Sequence, residues 1–169
     1  CAGRIWDEAK NIALLARIAG RLAWPIAAAG DCRAPDGGIY DPQGLDLLGS
    51  LDRKAMAARL ASAAIFAAPA RYEPFGLAIA EAAASGCALV LGDIPTLREV
   101  WGDAAEYVPP DNDEAWASVL GRLISSPMRR RWLGIAARRR AALYSASRMG
   151  GRYLDLYATL CRQPELADA

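Results

Sequence analysis

The sequence contains no histidine, and its four cysteines (Cys1, Cys32, Cys87 and Cys161) are scattered without a C-x-x-C pair. Zinc sites are built mainly from closely spaced residues of these two types, so the sequence predicts no zinc or other metal site. The lack of histidine also removes the commonest general base, so a Ser-His-Asp or Cys-His mechanism would need a histidine from elsewhere. The scattered cysteines are typical of a protein from a reducing cytoplasm.

Long apolar runs are also absent. None approaches the ~18 residues that a membrane-spanning helix needs, and no basic start followed by an apolar block predicts a signal peptide. The phosphate-binding patterns G-x-x-x-x-G-K-[ST] and G-x-G-x-x-G do not occur either, which leaves P-loop and standard dinucleotide readings without their motif. With 169 residues, 54% of them hydrophobic, the chain is predicted to form one domain with its own core. Because it begins with Cys1, we expect a piece of a longer polypeptide.

The net charge of +1 hides an uneven distribution of arginine. The stretch from Arg122 to Arg162 contains ten arginines and one acid, Asp155, whereas the residues before it carry ten basic and sixteen acidic side chains. Such a stretch is either a solvated helix face or a contact with phosphate, an anionic membrane or an acidic partner. Nucleic acid is not predicted, because the stretch has no recognised motif and no interleaved stacking aromatics. Together with the scattered cysteines, this pattern predicts a cytoplasmic protein. Peripheral binding to the inner face of a membrane is an alternative that the arginine-rich stretch allows.

Short apolar runs alternate with longer helical patterns along the chain. Strands are predicted at 25–29, 45–48, 64–68, 88–91 and 105–108, and residues 1–4 look like the end of another. Helices are predicted at 9–22, 53–61, 76–85, 114–125, 128–143 and 147–160. Residues 31–44 are rich in Gly, Pro and Asp and predict a loop. The alternation predicts an α/β fold, a Rossmann-like parallel sheet with helices on both faces.

Two carboxylates stand out in the stretch RYEPFGLAIAEAAASG. Glu73 falls in the loop after a predicted strand, where parallel α/β domains bind ligands. If the next helix begins near Gly76, its free N–H groups form an anion site, and Glu81 follows on the second turn. An ionised carboxylate accepts two hydrogen bonds, which suits the paired hydroxyls of a ribose. The alternative is that Glu73 caps the helix and Glu81 is simply exposed.

Two cations, Arg4 and Lys10, follow the first predicted strand at a spacing of six residues. They suit a diphosphate, because arginine makes a forked contact and lysine supplies a point charge, although surface cations are common. The sequence DND from Asp111 to Asp113 matches a D-x-D metal-binding pattern. It follows two prolines and precedes a helix, which favours helix capping instead.

Taken together, several segments resemble one known family. GRIWDEAKN, AAAGD, LLGSL, the stretch from APARYEPFG to NDEAWA and the final helices resemble the carboxy-terminal domain of group 1 (family four) GT-B glycosyltransferases. The resemblance covers nearly the whole chain, and its anchor is the E-x7-E pattern from Glu73 to Glu81. It implies that residues 1–169 are a single nucleotide-sugar-binding domain, the carboxy-terminal half of a GT-B fold. The amino-terminal acceptor domain of such a two-domain enzyme is absent from this sequence and is an expected partner of the chain. In the family the last helix crosses back to that domain, so the resemblance leaves open whether the C-terminal arginines face it or an anionic membrane.

The resemblance also implies roles for the candidate residues. The enzyme would be a retaining hexosyltransferase that uses a nucleotide-diphosphate sugar without a metal, since cations and a helix dipole stabilise the leaving diphosphate. The diphosphate would be bound by the side chains of Arg4 and Lys10. The backbone N–H groups of Phe75, Gly76 and Leu77 would also bind it.

Two carboxylates and one strand end complete the implied site. Glu73 would be a catalytic residue that contacts hydroxyls of the donor sugar without being the nucleophile. Glu81 would hold the ribose, and the nucleobase would lie near Leu48 and Gly49.

Two departures from the family pattern stand out. In the stretch AAAGDCRAPDGG, a loop replaces the helix that the family usually has before the next strand. The stretch GDIPTLREV stands where the family usually has a pair of glycines. The resemblance therefore does not decide whether residues from Ile94 to Glu99 contact the sugar. Without an amino-terminal domain, this chain is expected to bind donor weakly and to transfer nothing. A non-catalytic nucleotide-sugar-binding or assembly module is an alternative. A sugar-nucleotide epimerase resembling UDP-N-acetylglucosamine 2-epimerase is another, although such epimerases lack the EPFGL…E wording.

Overall fold

The computed structural model describes residues 1–162; the predicted domain extends to residue 169, and residues 163–169 lie outside the described part. Its strands are β1 (Ala27–Ala29), β2 (Asp46–Gly49), β3 (Ile65–Ala68), β4 (Ala88–Gly92) and β5 (Ala105–Val108). Its helices are α1 (Ile12–Ala19), α2 (Arg53–Ser62), α3 (Leu77–Ser85), α4 (Pro95–Trp101), α5 (Asp113–Ser125), α6 (Pro127–Ala141) and α7 (Ala146–Cys161). Short 3₁₀ turns, Gly102–Ala104 and Ala142–Tyr144, follow α4 and α6.

All the named strands pair in parallel, which confirms the predicted α/β fold class. Their hydrogen bonds form two groups, β1–β2 and β3–β4–β5, rather than one continuous ladder. Residues at the start of the chain extend the first group: Ala2 bridges to Ala29 in parallel, and the Gly3 N–H donates to the Ala29 carbonyl at 2.9 Å. Residues 1–4 thus pair with β1 as the end of a strand would, although only one isolated bridge forms there and no named strand.

The central strand β4 is buried along its whole length. Ala88 and Val90 pack into one apolar cluster with side chains of α1 and α5, whereas Leu89 and Leu91 pack into a second cluster with side chains of α3 and α4. A strand covered on both faces needs a continuous apolar sequence, and ALVLG supplies one. Helices thus cover both faces of the sheet, as predicted.

The helix α4 is not predicted from the sequence, which indicates no helix or strand between residues 91 and 105. Pro95 occupies its first turn, where the missing N–H of proline costs no helical hydrogen bond. Leu97 and Trp101, spaced four residues apart, are both fully buried. Two apolar residues in seven make too short a pattern to reveal a helix, so the packing against the sheet decides the matter.

The first helix begins later than predicted, at Ile12 rather than at residue 9. Residues 7–11 form turns instead, in which the Lys10 N–H donates to the Asp7 carbonyl at 2.9 Å. Asn11 then adopts a φ of 54°, and such left-handed backbone does not continue a right-handed helix. The consequence is that Lys10 lies in a loop at the carboxyl edge of the strands.

The last helix, α7, is the most exposed part of the described chain. None of its residues is buried, and its main contact is with the 3₁₀ turn Ala142–Tyr144. Neither this helix nor any other among residues 1–162 combines the length and the apolar character needed to cross a membrane.

Candidate functional site

The loops at the carboxyl edge are tied together by one buried side chain, Asn11. Its Nδ2 donates to the carbonyl of Pro69, after β3, at 3.0 Å and to the carbonyl of Pro110, after β5, at 2.7 Å. Asn11 is only 2% exposed, and asparagine tolerates the left-handed backbone that it adopts here. This clamp fixes the loop that carries Lys10 against the ends of two strands.

The helix that follows β3 begins with an open N-terminus. Gly76 has φ 82° and ψ 71°, and no side chain caps α3. The backbone N–H groups of Phe75, Gly76 and Leu77 donate to no acceptor among residues 1–162. Free N–H groups and the positive end of the helix dipole make this a ready anion site. The alternative that Glu73 caps the helix is wrong.

Glu73 instead forms an ion pair with Lys10 across the edge. The Lys10 Nζ donates to Glu73 Oε2, and the two side chains are only 21% and 15% exposed. The Lys10 stem runs past Gly3, where an added Cβ would lie 3.7 Å from Lys10 Cγ. The Thr96 hydroxyl, at the start of α4, donates to the Glu73 carbonyl at 2.7 Å. The structure therefore brings together two of the predicted site residues beside the open helix N-terminus.

Arg4 lies on the same loop but is engaged differently. Its Nη2 donates to Asp7 Oδ2 at 2.6 Å, and its side chain is 61% exposed. Partial burial alone would raise the pKa of Asp7, but hydrogen bonds from Arg4 and from the Ala9 N–H outweigh it and lower that pKa. Arg4 is thus an exposed cation held at the edge by an ionised carboxylate.

Glu81 points into solvent, which agrees with the alternative that it is simply exposed. It is exposed, and its carboxylate has no hydrogen-bond partner among residues 1–162. It shares the outer face of α3 with Leu77, four residues earlier, which is 75% exposed. An isolated carboxylate beside an exposed apolar side chain is a group available to a ligand.

Leu48 and Gly49, predicted near a nucleobase, end β2 at the same edge. Gly49 is exposed with φ 66°, and an added Cβ would meet nothing within 4 Å. Its carbonyl accepts from the Gly30 N–H at 2.8 Å. The chain then leads into α2, which packs against α3, so the two helices that start at this edge are neighbours.

Aromatic contacts support the site from the far side of Phe75. Its ring meets that of Tyr144 edge-on, with centroids 5.3 Å apart. The Tyr144 hydroxyl and Arg140 Nε both donate to the Val100 carbonyl, at 2.9 and 2.6 Å, and so close the C-terminal end of α4. The sequence gives no signal for this contact, since Phe75 and Tyr144 are distant in the chain, and the roles of Asn11 and Thr96 were equally missed.

The DND sequence serves structure, as predicted. Asn112 accepts from the Ala115 N–H at 3.0 Å and caps α5. Asp111 pairs with Arg71, and Asp113 with Arg17. Within residues 1–162, no three Cys, Asp or Glu side chains are grouped so that they could hold a metal ion.

An apolar groove of about 480 Å³ lies between the two groups of strands. It is lined by residues that include Ile26, Leu48 and Ile65, but by none at the start of α3. A more polar cavity of about 680 Å³ borders the loop of Lys10 and is lined by residues that include Trp6, Asn11 and Tyr40. Only the second adjoins the charged residues described above.

Solved structures share this fold. The crystal structure of Anabaena HepE in complex with UDP matches with a TM-score of 0.80 at 15% identity, over 93% of this chain and 47% of that chain. The fold thereby defines the class, a parallel α/β domain of the GT-B type.

The chain belongs to the family of glycosyl transferases group 1, whose model matches residues 1–126. It is 42% identical over 94 residues to the MMP alpha-(1->4)-mannosyltransferase of Mycolicibacterium hassiacum, which is 54% of this chain and 23% of that protein. It is 30% identical over 119 residues to the phosphatidyl-myo-inositol mannosyltransferase of Mycolicibacterium smegmatis, which is 69% of this chain and 31% of that protein. The chain thus spans less than a third of the length of these relatives.

Proposed function

We propose that this chain is the donor-binding half of a retaining glycosyltransferase, which takes a sugar from a nucleotide-diphosphate sugar. The observation that carries the proposal is the open N-terminus of α3 beside the Lys10–Glu73 ion pair. A diphosphate needs N–H donors and cations, while a sugar needs a carboxylate for its hydroxyls. These groups meet at the carboxyl edge, where parallel α/β domains bind nucleotides.

In this proposal the diphosphate lies over the start of α3. The free N–H groups of Phe75, Gly76 and Leu77 donate to its oxygens, and Lys10 and Arg4 supply positive charge. Each interaction strengthens as negative charge moves onto the leaving diphosphate, which favours the transition state over the bound donor. No metal ion is part of this proposal.

The Lys10–Glu73 pair suggests how the site responds to the donor. When a diphosphate enters, the Lys10 ammonium exchanges the Glu73 carboxylate for phosphate oxygens. Glu73 is then free to accept hydrogen bonds from hydroxyls of the donor sugar. Both side chains are largely shielded from water, where a charge without a partner would be costly. The ion pair gives each of them a partner before the donor binds.

The nucleoside is assigned to the edge formed by α2 and α3. Glu81, exposed and without a partner among the described residues, accepts hydrogen bonds from the two ribose hydroxyls. The base lies by Leu48 and Gly49, where the backbone is open. The crystal structure of Anabaena HepE, which shares this fold and was solved in complex with UDP, supports this assignment.

For the transfer itself we propose a displacement on one face of the sugar. The bond between the anomeric carbon and the diphosphate oxygen breaks, and a bond to the acceptor hydroxyl oxygen forms. The acceptor proton passes to an oxygen of the leaving diphosphate. Glu73 orients the sugar in this scheme and forms no covalent bond. Two relatives named as mannosyltransferases support a hexose as the transferred group.

Amide chemical shifts of the 169-residue chain test donor binding. UDP, GDP and ADP are titrated separately, and we expect one of them to shift the amides of Phe75, Gly76 and Leu77. Lys10→Met should weaken that nucleotide about tenfold or more, because a charge-assisted hydrogen bond is lost. Arg59→Met, in the last turn of α2, removes the same charge away from the site and should change nothing.

The role of Glu81 is tested with a second ligand rather than a second site. Glu81→Gln should weaken the nucleoside diphosphate about tenfold, but leave binding of its 2′,3′-dideoxy analogue unchanged. Equal weakening of both ligands would refute the ribose assignment. If no nucleotide shifts the amides around Gly76 at millimolar concentration, the donor-binding proposal is wrong. A nucleotide that binds but yields no glycosylated product with the complete polypeptide, by mass spectrometry, would favour the non-catalytic module.

A further inference from the structure

One surface outside the candidate site combines charge with exposed apolar side chains. We define the outer face of α6 by residues that follow one another at spacings of one or three: Met128, Arg131, Trp132, Ile135, Arg138 and Arg139. Its three apolar side chains are 77%, 52% and 47% exposed, in chain order. Single exposed apolar residues are ordinary, but three on one helix face among arginines are not.

The opposite side of α6 is held firmly, so this face cannot turn inward. Leu133 and Ala137 are fully buried. At Gly134 the helix comes so close to the end of α3 that an added Cβ would lie 2.3 Å from the Gly86 carbonyl oxygen. The exposure of the outer face is therefore a fixed property of the fold.

The arginines of α6 divide into two sets. Those on its flanks have partners: Arg129 pairs with Glu106, Arg130 donates to the Leu123 carbonyl and Arg140 to the Val100 carbonyl. The second set has no ion pair or side-chain hydrogen bond among residues 1–162, and it consists of the three outer-face residues Arg131, Arg138 and Arg139. The charges left without a partner among residues 1–162 thus share the outer face with Ile135 and Trp132, and the paired Arg129 guanidinium lies 4.6 Å from the centroid of the Trp132 ring.

We propose that the outer face of α6 binds the surface of an anionic lipid bilayer. Tryptophan and methionine enter the headgroup region, while arginine extends its stem along apolar surface and keeps its guanidinium among phosphates. A polyanion such as nucleic acid would use the charges but gain nothing from Met128 and Ile135. The face begins at residue 128, beyond the family match that ends at 126, and the proposal does not rest on the proposed function.

The neighbouring helix α7 has the same character. Met149, Tyr153, Leu156 and Leu160 form one exposed apolar stripe, and Arg152 lies beside it. The turn that leads into α7 contains Tyr144, which contacts Phe75.

Vesicle co-sedimentation of the 169-residue chain tests the proposal. Vesicles of phosphatidylcholine alone are compared with vesicles containing about one third phosphatidylglycerol, and binding is expected only to the second. Each arginine near such a surface contributes about fivefold in affinity, so the triple variant R131Q/R138Q/R139Q should bind on the order of a hundredfold more weakly. Binding should also fall with salt. Trp132→Ala should weaken binding several-fold, because the indole no longer enters the interface.

The matched control is R53Q/K54Q/R59Q, which removes three exposed positive charges from α2 instead. It should bind like the unmodified chain, and circular dichroism checks that each variant remains folded. Equal loss in both triple variants would mean attraction by net charge alone and would overturn the proposal. So would failure to bind phosphatidylglycerol vesicles, or a Trp132→Ala variant that binds as tightly as the unmodified chain, which would indicate a polyanion site.

Discussion

The close approach of α3 and α6 allows a prediction whose sign differs from the usual one. Gly134 lies inside α6, and replacing an interior helical glycine by alanine normally stabilises a protein by about 1 kcal/mol. Here the new Cβ would lie 2.3 Å from the Gly86 carbonyl oxygen and 3.3 Å from its carbon. The obstructing atoms belong to the backbone, so the two helices must move apart by about 1 Å, which costs about 3 kcal/mol at the upper end of overpacking.

Gly134→Ala should therefore destabilise the domain by about 2 kcal/mol, the cost of overpacking less the gain in helix propensity. Urea unfolding followed by circular dichroism measures the free energy of unfolding, and Tm should fall by about 4–8 °C. The control is Gly121→Ala in α5, where an added Cβ meets nothing within 4 Å. That variant should be more stable by about 0.5–1 kcal/mol.

The changes in the free energy of unfolding must have opposite signs in the two variants. If Gly134→Ala stabilises as much as Gly121→Ala, α6 does not approach α3 this closely.

Three further predictions follow from single contacts. Asn11→Ala should lower the free energy of unfolding in urea by about 2–4 kcal/mol, because two loop carbonyls lose their donor and alanine disfavours a φ of 54°. Asn11→Gly should lower it by about 1 kcal/mol less, because glycine adopts this backbone without strain. Equal losses in the two variants would exclude a contribution from backbone strain. The Arg17 guanidinium lowers the pKa of Asp113 below its usual 3.8, so the pair stabilises the fold above that pH and stops doing so as the pH falls through the lowered pKa. Asp113→Asn should thus cost about 0.5 kcal/mol at neutral pH and almost nothing in strong acid, whereas a constant difference would show that the charge is unimportant. Burial raises the pKa of Tyr107 to about 12, so absorbance titration should show one of the six tyrosines ionising late, with stability declining as the pH rises above the usual value of 10; a late step that persists in Tyr107→Phe would contradict this assignment.

The elements with strong local signals agree with the sequence. The apolar run ALVLG predicts β4, because only a strand buried on both faces needs such a run, and the structure differs by one residue at its end. Asn112 caps α5 as predicted, since side-chain capping depends on residues three apart in the chain. By contrast, α4 depends on Leu97 and Trp101 reaching the core, which no local pattern of seven residues reveals.

The candidate site divides along the same line. From the sequence alone one can predict which chemical groups the site contains: an E-x7-E pair around a glycine that starts a helix, with cations after the first strand. Which of these groups meet depends on the fold: Lys10 reaches Glu73, Arg4 reaches Asp7, and Glu81 is exposed, with no partner for its carboxylate among residues 1–162. Local residue order dictates helix starts, turns and strands, because those depend on neighbours within a few positions. Contacts between residues 63 positions apart depend on how the loops at one edge are packed, and Asn11 fixes that packing.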